Sequence, residues 1–266
     1  MKPLERSGGR VLLLVVVAIS YVIMLGPTCV VLIEAFNAGY TVQFPPPALS
    51  LRWFGAFARN SEFVDSFTKS LELGLATAAI STTLGSLAVY GLSRHWQRHT
   101  ALETLLLAPL YVPRVLIGMA LLLALSRVFL AGSFAGLLVG HVLITLPFVV
   151  RAVAVSLNGV PIAIEEAAQS LGATGRQVLF RVVLPLVRTG IASGAIFAFV
   201  VSFSDVYLAL FIAGADAVTL PLRIFNSLQW DESPIVAAAS TVQIVLTLIV
   251  ILAAEKLFGL SRASRG

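Results

Sequence analysis

With 266 residues, of which 58% are hydrophobic and only 12% charged, and a mean hydropathy of +0.97, the chain lies far outside the composition of a soluble domain and reads as an integral membrane protein. The net charge of +5 does not mark a nucleic-acid binder: Lys and Arg sit in small groups at the ends of apolar runs, as membrane orientation requires, and form no patch. The single cysteine, Cys29, excludes an internal disulfide and any multi-cysteine metal cluster.

A hydrocarbon core about 30 Å thick takes roughly 20 helical residues per crossing, which limits the chain to at most about seven or eight spans. The expected fold is an all-α membrane protein with six transmembrane helices in one domain over residues 1–266. The first helix is expected at 11–36. Its apolar run is too long for a secretory signal core of about 7 to 15 residues and has no small-residue cleavage site, so it reads as retained. "GPTC" is a poor lipoprotein site, because Pro27 and Thr28 precede the cysteine. A long external loop follows to about residue 68. Pro45, Pro46 and Pro47 forbid a regular helix there, and a short interfacial helix could carry Trp53, Phe54 and Phe57. The second helix is placed at 69–92, before the polar turn "SRHWQRH". The third, at 102–125, is broken or bent by Pro109 and Pro113, and the fourth, at 133–157, contains Pro147. A cytoplasmic segment at 158–187 precedes a fifth helix at 189–212. An outer loop with "TLPLRIFNSLQWDESP" then leads to a sixth helix at 235–258.

Orientation follows from Lys and Arg, which resist translocation. With the N-terminus inside, Lys2, Arg6, Arg10, Arg94, Arg98, Arg151, Arg176, Arg181, Arg188, Lys256, Arg262 and Arg265 are cytoplasmic. Arg52, Arg59, Lys69, Arg127 and Arg223 are outside, and Arg114 lies within a span. Twelve against five places both termini in the cytoplasm, together with the segment "PIAIEEAAQSLGATGRQVLFRVVLPL" at 161–186.

That segment reads as two short helices. Pro161 suits an opening turn. Ile164, Ala167, Ala168 and Leu171 fall at i, i+3, i+4 and i+7 on one stripe, with Ile162, Glu165 and Gln169 on another face and Glu166 at the border. Gly172 is placed as a left-handed terminator, and Thr174 can cap a second helix with an apolar stripe of Leu179, Val182, Val183 and Leu186, up to Pro185. A linker lying on lipid head groups is the plainer reading, but anionic lipid would not attract an acidic, small-residue surface, and a groove on a protein partner suits it better.

Glu166, Ala167 and Ala168, then Gly172, Val182, Leu184 and Pro185 at their spacing, resemble the EAA loop of binding-protein-dependent ABC importer permeases. The family pattern has isoleucine where Val182 stands. "LAPLYVPRVLIGMALL", "FVVSFSDVYLALFIAG" and "TLPLRIFNSL" extend the resemblance, in particular to the spermidine/putrescine type of permease. The resemblance implies that Glu165, Glu166, Ala167, Ala168, Leu171, Gly172 and Ala173 form a coupling helix seated in a cleft of an ATP-hydrolysing subunit. It also implies a bacterial inner membrane protein with several partners: a second permease subunit, two ATP-binding cassette subunits that hold ATP and magnesium, and an external substrate-binding protein. The chain itself would then carry no cofactor.

A buried ion at mid-helix needs a partner, water or a function. Asp205 in the fifth helix and Arg114 in the third are the informative cases. Ser202 and Asp205 share a helical face, with Ser204 and Tyr207 nearby, so Ser202, Asp205, Tyr207 and Arg114 are the candidate translocation-path residues. An Asp205–Arg114 ion pair is the structural alternative. Glu34, Glu72 and Glu103 lie near expected helix ends and are expected to reach water. Polyamine-type permeases are expected to place extra carboxylates where Arg114 and Ser204 stand. A zwitterion or an anion such as an aminophosphonate is therefore the alternative solute.

No catalytic site is expected. His141 with Ser133 or Ser193 would be needed for an intramembrane hydrolase, and "GIASGA" lacks the Gly-x-Ser-Gly spacing of a rhomboid protease. His95 and His99 stand i, i+4 without a third ligand, so no metal site is expected. No GxxxxGK[ST] loop is present. A secondary transporter or channel is the remaining rival, and it would not need the cytoplasmic hairpin.

Overall fold

The computed structural model describes residues 4–93, 100–230 and 233–258. Lys2, Arg94, Arg98, Arg262 and Arg265 from the charge count, and the His95/His99 pair, lie outside the described residues. Among those described there are helices and turns but no strand. Over them, the chain falls into two compact units, Met1–Val64 with Asn226–Ile244, and Asp65–Phe225 with Val245–Gly266.

The helices are α1 Leu4–Glu34, α2 Arg52–Arg59, α3 Ser61–Ser93, α4 Thr100–Leu107, α5 Arg114–Ser126, α6 Phe134–Asn158, α7 Ile162–Ser170, α8 Gly175–Val178, α9 Leu184–Leu186, α10 Arg188–Ser204, α11 Tyr207–Ile212, α12 Leu220–Trp230 and α13 Ile235–Phe258. Four helical stretches are long and apolar enough to cross a bilayer: Gly9–Glu34, Ser61–Leu92, Phe134–Asn158 and Ile235–Phe258. Two bent pairs, Ala101–Leu110 with Arg114–Ser126 (104°) and Gly175–Leu186 with Arg188–Ser204 (71°), bring the number to six if each pair is one span.

In the first unit, α1 starts and ends earlier than the expected 11–36 and keeps Pro27 inside it. Its side chains from Val11 to Leu25 are largely exposed, leaving an apolar surface that fits lipid or another helix and not water. Beyond it, Glu34 does not reach water as expected: it is 3% exposed. Asn37, fully buried, donates from Nδ2 to Glu34 Oε2 (2.9 Å) and to the Thr41 carbonyl (3.2 Å), so a polar turn replaces the expected last helical turn. The interfacial helix is present as α2. The Arg52 guanidinium lies over the Tyr40 ring at 4.0 Å and near the Trp53 ring at 4.9 Å, and donates to the Ala38 carbonyl at 3.0 Å. A cation on aromatic faces ties this helix to the proline-bearing loop. Helix α3 begins at Ser61, eight residues before the expected start, and shortens that loop.

The second unit is built on the packing of α6 against α10. Ser133 opens α6 by accepting the Gly136 N–H. The close approach is made by Gly190 and Gly194, one turn apart. A Cβ at Gly190 would stand 2.4 Å from Ser156 Cβ and 2.8 Å from the Ala152 carbonyl oxygen. Small residues at this spacing let two backbones meet where lipid supplies no hydrophobic drive. "GIASGA" is thus a packing seam, and Ser193 bonds the Thr189 carbonyl inside its own helix. Two buried clusters flank the seam, one around Leu137, Ile144, Leu208 and Ile212, the other around Val149, Val153, Val178, Val183 and Val187.

Three expectations are corrected here. The fifth helix is not continuous over 189–212: α10 ends at Ser204, Asp205 is extended (φ −78, ψ 126), and α11 restarts at Tyr207. The outer loop at "TLPLRIFNSLQW" is in large part helix α12, with Pro221 in the first turn, where a missing N–H costs no helical bond. The second arm of the hairpin contains a π turn, Leu179–Val183. That wider turn moves the buried stripe from the expected Leu179, Val182, Val183 and Leu186 to Val178, Val183 and Val187.

Candidate functional site

Two groups of side chains carry the chemistry, and both lie in the second unit. The first is the hairpin after α6. Its turn is a Schellman motif: the Ala173 N–H donates to the Ala168 carbonyl (3.1 Å), the Gly172 N–H donates to the Gln169 carbonyl (2.9 Å), and Gly172 sits at φ +87. Only glycine enters that region without penalty, and nothing lies within 4 Å of a Cβ built there, so the requirement comes from the backbone and not from crowding. Thr174 then starts the second arm with a full capping box. Its hydroxyl accepts the Gln177 N–H, and Gln177 Oε1 accepts the Thr174 N–H at 2.7 Å. Pro161 is the residue before the first helical turn, one position earlier than expected.

The two arms differ in what they bury. The second arm is pinned to α6 through Val178, Val183 and Val187, and Ala168 and Ala173 pack against the same cluster. The first arm, α7, is presented. Ile164 is 41% and Leu171 90% exposed, and Glu166 and Ala167 are exposed with them. Three of the four residues of the expected apolar stripe, Ile164, Ala167 and Leu171, therefore form an outward surface while Ala168 packs inward, and Glu165, placed on the other face, is buried at 5%. Of the seven sequence-derived residues, Glu166, Ala167, Leu171 and Gly172 face out, Ala168 and Ala173 are half-buried, and Glu165 is inside.

The second group lies at the helix breaks. Arg114 is the first residue of α5, just after the Pro113 break, and Asp205 sits in the α10–α11 break. Arg114 Nη1 donates to Asp205 Oδ2 at 2.8 Å. The Arg114 side chain is 38% exposed and that of Asp205 fully buried. The other carboxylate oxygen accepts the Leu208 N–H at 2.8 Å. In lipid the backbone groups freed by a helix break must find partners, and Asp205 supplies one to the Leu208 N–H while its charge is balanced from 91 residues away.

The structure does not gather all four path candidates. Arg114 and Asp205 touch. Ser202 turns to His141, with 2.9 Å between its hydroxyl and Nδ1, and Tyr207 is exposed. Sequence reasoning took His141 for a packing residue. It is that, fully buried, and its Nε2 has no hydrogen-bond partner among the described residues. The bond between Ser81 and Thr145 (2.7 Å), which joins α3 to α6, was not anticipated. Isolated hydroxyls on apolar helices give no pairing signal in one sequence. Among the described residues no group of three or more His, Cys, Asp or Glu is placed to hold a metal.

Chemically, Asp205 is neutralised and capped, whereas the partly exposed guanidinium keeps N–H donors beyond the one given to Asp205. The centre offers a cation with spare donors, and no free carboxylate.

A family model described as the binding-protein-dependent transport system inner membrane component matches residues 81–258. The putrescine transport system permease protein PotI of Escherichia coli (strain K12) is 29% identical over 247 residues, which are 90% of this chain and 86% of that protein. The spermidine/putrescine transport system permease protein PotC of the same strain is 26% identical over 231 residues, 86% of this chain and 87% of that protein. A crystal structure of a bacterial ABC transporter involved in the import of the acidic polysaccharide alginate matches with a TM-score of 0.78 over 96% of both chains, at 16% identity, a likeness of fold.

Proposed function

The chain belongs to the family of binding-protein-dependent transport system inner membrane components, and from that premise we propose that it forms half of the translocation path of an ATP-driven importer for a small organic solute. In this reading it lies in the bacterial inner membrane as six spans, both termini cytoplasmic, in one permease domain. It pairs with a second permease subunit and takes its solute from a binding protein. Two ATPase subunits hold ATP and magnesium; this chain does no hydrolysis.

One observation carries the reading: a nine-residue helix, α7, followed by a glycine turn, with the second arm of the hairpin anchored in the core and with Ile164, Ala167 and Leu171 left exposed. A helix presented in this way suits a groove on a partner. When the ATPases close, a rigid arm moves with them, and the anchored one passes the displacement to α6 and α10, the kind of rigid-body motion that exchanges outward and inward access. The residues assigned to coupling are Glu165, Glu166, Ala167, Ala168, Leu171, Gly172 and Ala173. Glu165 acts from inside, by holding the helix in place. Arg114, Asp205, Ser202 and Tyr207 are assigned to the path.

For the solute, kinship with PotC and PotI supports a polyamine. A second reading, a zwitterion or anion such as 2-aminoethylphosphonate, is favoured by one observation: Asp205 is spent on Arg114 and Leu208, and Arg114 is the partner left partly exposed. The test is uptake into proteoliposomes holding the purified assembly with its binding protein. Transport should require ATP and an ATPase that copurifies with the chain; ATP-independent uptake by this chain alone would instead mark a secondary transporter. Inhibition by spermidine and not by 2-aminoethylphosphonate selects the polyamine, and the converse selects the second reading.

A further inference from the structure

Behind the anchored arm of the hairpin a cavity of about 410 Å³ opens between α3, α6 and the π turn. Its walls are almost wholly apolar, with Leu157, Phe180, Leu184 and Ile191 among them. The arm that forms one wall, Gly175–Leu186, is bent 71° from α10, and the π turn widens the backbone there, leaving a hollow where a regular helix would pack more closely.

Two features set this hollow apart from a packing fault. Thr82 and Ser86 line it one turn apart on α3, and both hydroxyl oxygens are shielded from solvent with no hydrogen-bond partner. The adjacent hydroxyls are satisfied: Ser81 bonds Thr145, and Thr83 donates to the Ala79 carbonyl at 2.8 Å. A buried hydroxyl without a partner is costly and calls for an acceptor. One wall residue also has a cation against it: the Arg176 guanidinium, outside the lining itself, stands 5.9 Å from the ring centroid of Phe180.

An apolar sleeve, two waiting hydroxyls about 6 Å apart along a helix and an exposed guanidinium against the Phe180 wall match an amphiphile with a hydrocarbon tail, paired carbonyl acceptors and an anionic head. We propose that the cavity binds one anionic glycerophospholipid, with an acyl chain between α3 and the π turn, its ester carbonyls at Thr82 and Ser86, and its phosphate at Arg176. The charge complementarity with Arg176 favours phospholipid over an uncharged apolar ligand. Binding is read directly, so the proposal stands or falls apart from the transport reading.

The test is native mass spectrometry of the full-length chain in its purified assembly, delipidated and re-equilibrated with equimolar phosphatidylglycerol and phosphatidylcholine in mixed micelles. One phosphatidylglycerol per copy should be retained, preferred about fivefold over phosphatidylcholine. Arg176→Gln should bring that preference to about unity while a lipid is still held. Thr82→Val with Ser86→Ala keeps the volume and should lower retention about fivefold or more, and Ser86→Leu should fill the cavity and abolish it. Should the leucine variant fail to assemble, the hydroxyl-deleting pair carries the test. Equal retention of both lipids by the wild type, unchanged retention by the pair, or displacement of phosphatidylglycerol by an equal concentration of oleate would overturn the proposal.

Discussion

Breaking the Arg114–Asp205 pair from its two ends should give unequal results. Arg114→Met strands a fully buried carboxylate, and removing one partner of a buried pair costs about 3–5 kcal/mol. The Arg114 side chain is 38% exposed, so the pair is not fully enclosed by this chain and the loss here is expected nearer about 2–3 kcal/mol. Asp205→Asn keeps an oxygen for the Leu208 N–H and leaves Arg114 turned to its exposed side, for a loss of about 1 kcal/mol. The double variant should resemble Asp205→Asn alone, giving a coupling of about 2–3 kcal/mol in the cycle. The order of thermal midpoints of the detergent-solubilised assembly measures this. Additive shifts, or Arg114→Met milder than Asp205→Asn, would refute the reasoning that the pair balances a charge at a helix break.

Gly172→Ala places a side chain at φ +87 in open space, so about 1 kcal/mol of local backbone strain is expected, with little change in assembly yield. ATP-dependent uptake should fall clearly, and Gly172→Arg and Glu166→Lys should nearly abolish it; normal uptake by the latter two would remove the hairpin from the mechanism. Gly190→Val drives Cβ into Ser156 and the Ala152 carbonyl and should cost about 3 kcal/mol or more, seen as loss of folded protein on size-exclusion chromatography. An unchanged elution profile and melting point would mean that α6 and α10 do not meet as described.

Where the sequence was legible, one element decided its own fate. The run from Ile235 is predominantly apolar and follows Pro234, and α13 spans the expected 235–258. Pro109 and Pro113 likewise marked the α4–α5 break, and Gly172 with Thr174 marked the hairpin turn. The misses depended on distant partners or on small shifts of backbone. Nothing in "FVVSFSDVYLALFIAG" tells that Asp205 ends one helix and caps the next, because the balancing charge comes from Arg114. Glu34 looked like a helix-end residue bound for water until Asn37 closed over it. The π turn left the hydrophobic pattern intact but rotated it, exchanging Leu186 for Val187 in the core. For the candidate site, sequence pattern located the hairpin and both charges, but could not say that α7 turns Ile164, Ala167 and Leu171 outward while burying Glu165.

The account rests on α7 being a cytoplasmic seat for an ATPase. It is tested most directly by placing a cysteine at that surface, Glu166→Cys, in a chain whose Cys29 has been replaced. A membrane-impermeant thiol reagent should label it from the cytoplasmic face of inverted vesicles once the ATPase subunits are stripped away. Rebinding of those subunits should protect it, and a bifunctional reagent should crosslink it to one of them. Labelling only from the external face, or equal labelling with and without ATPase, would contradict the account.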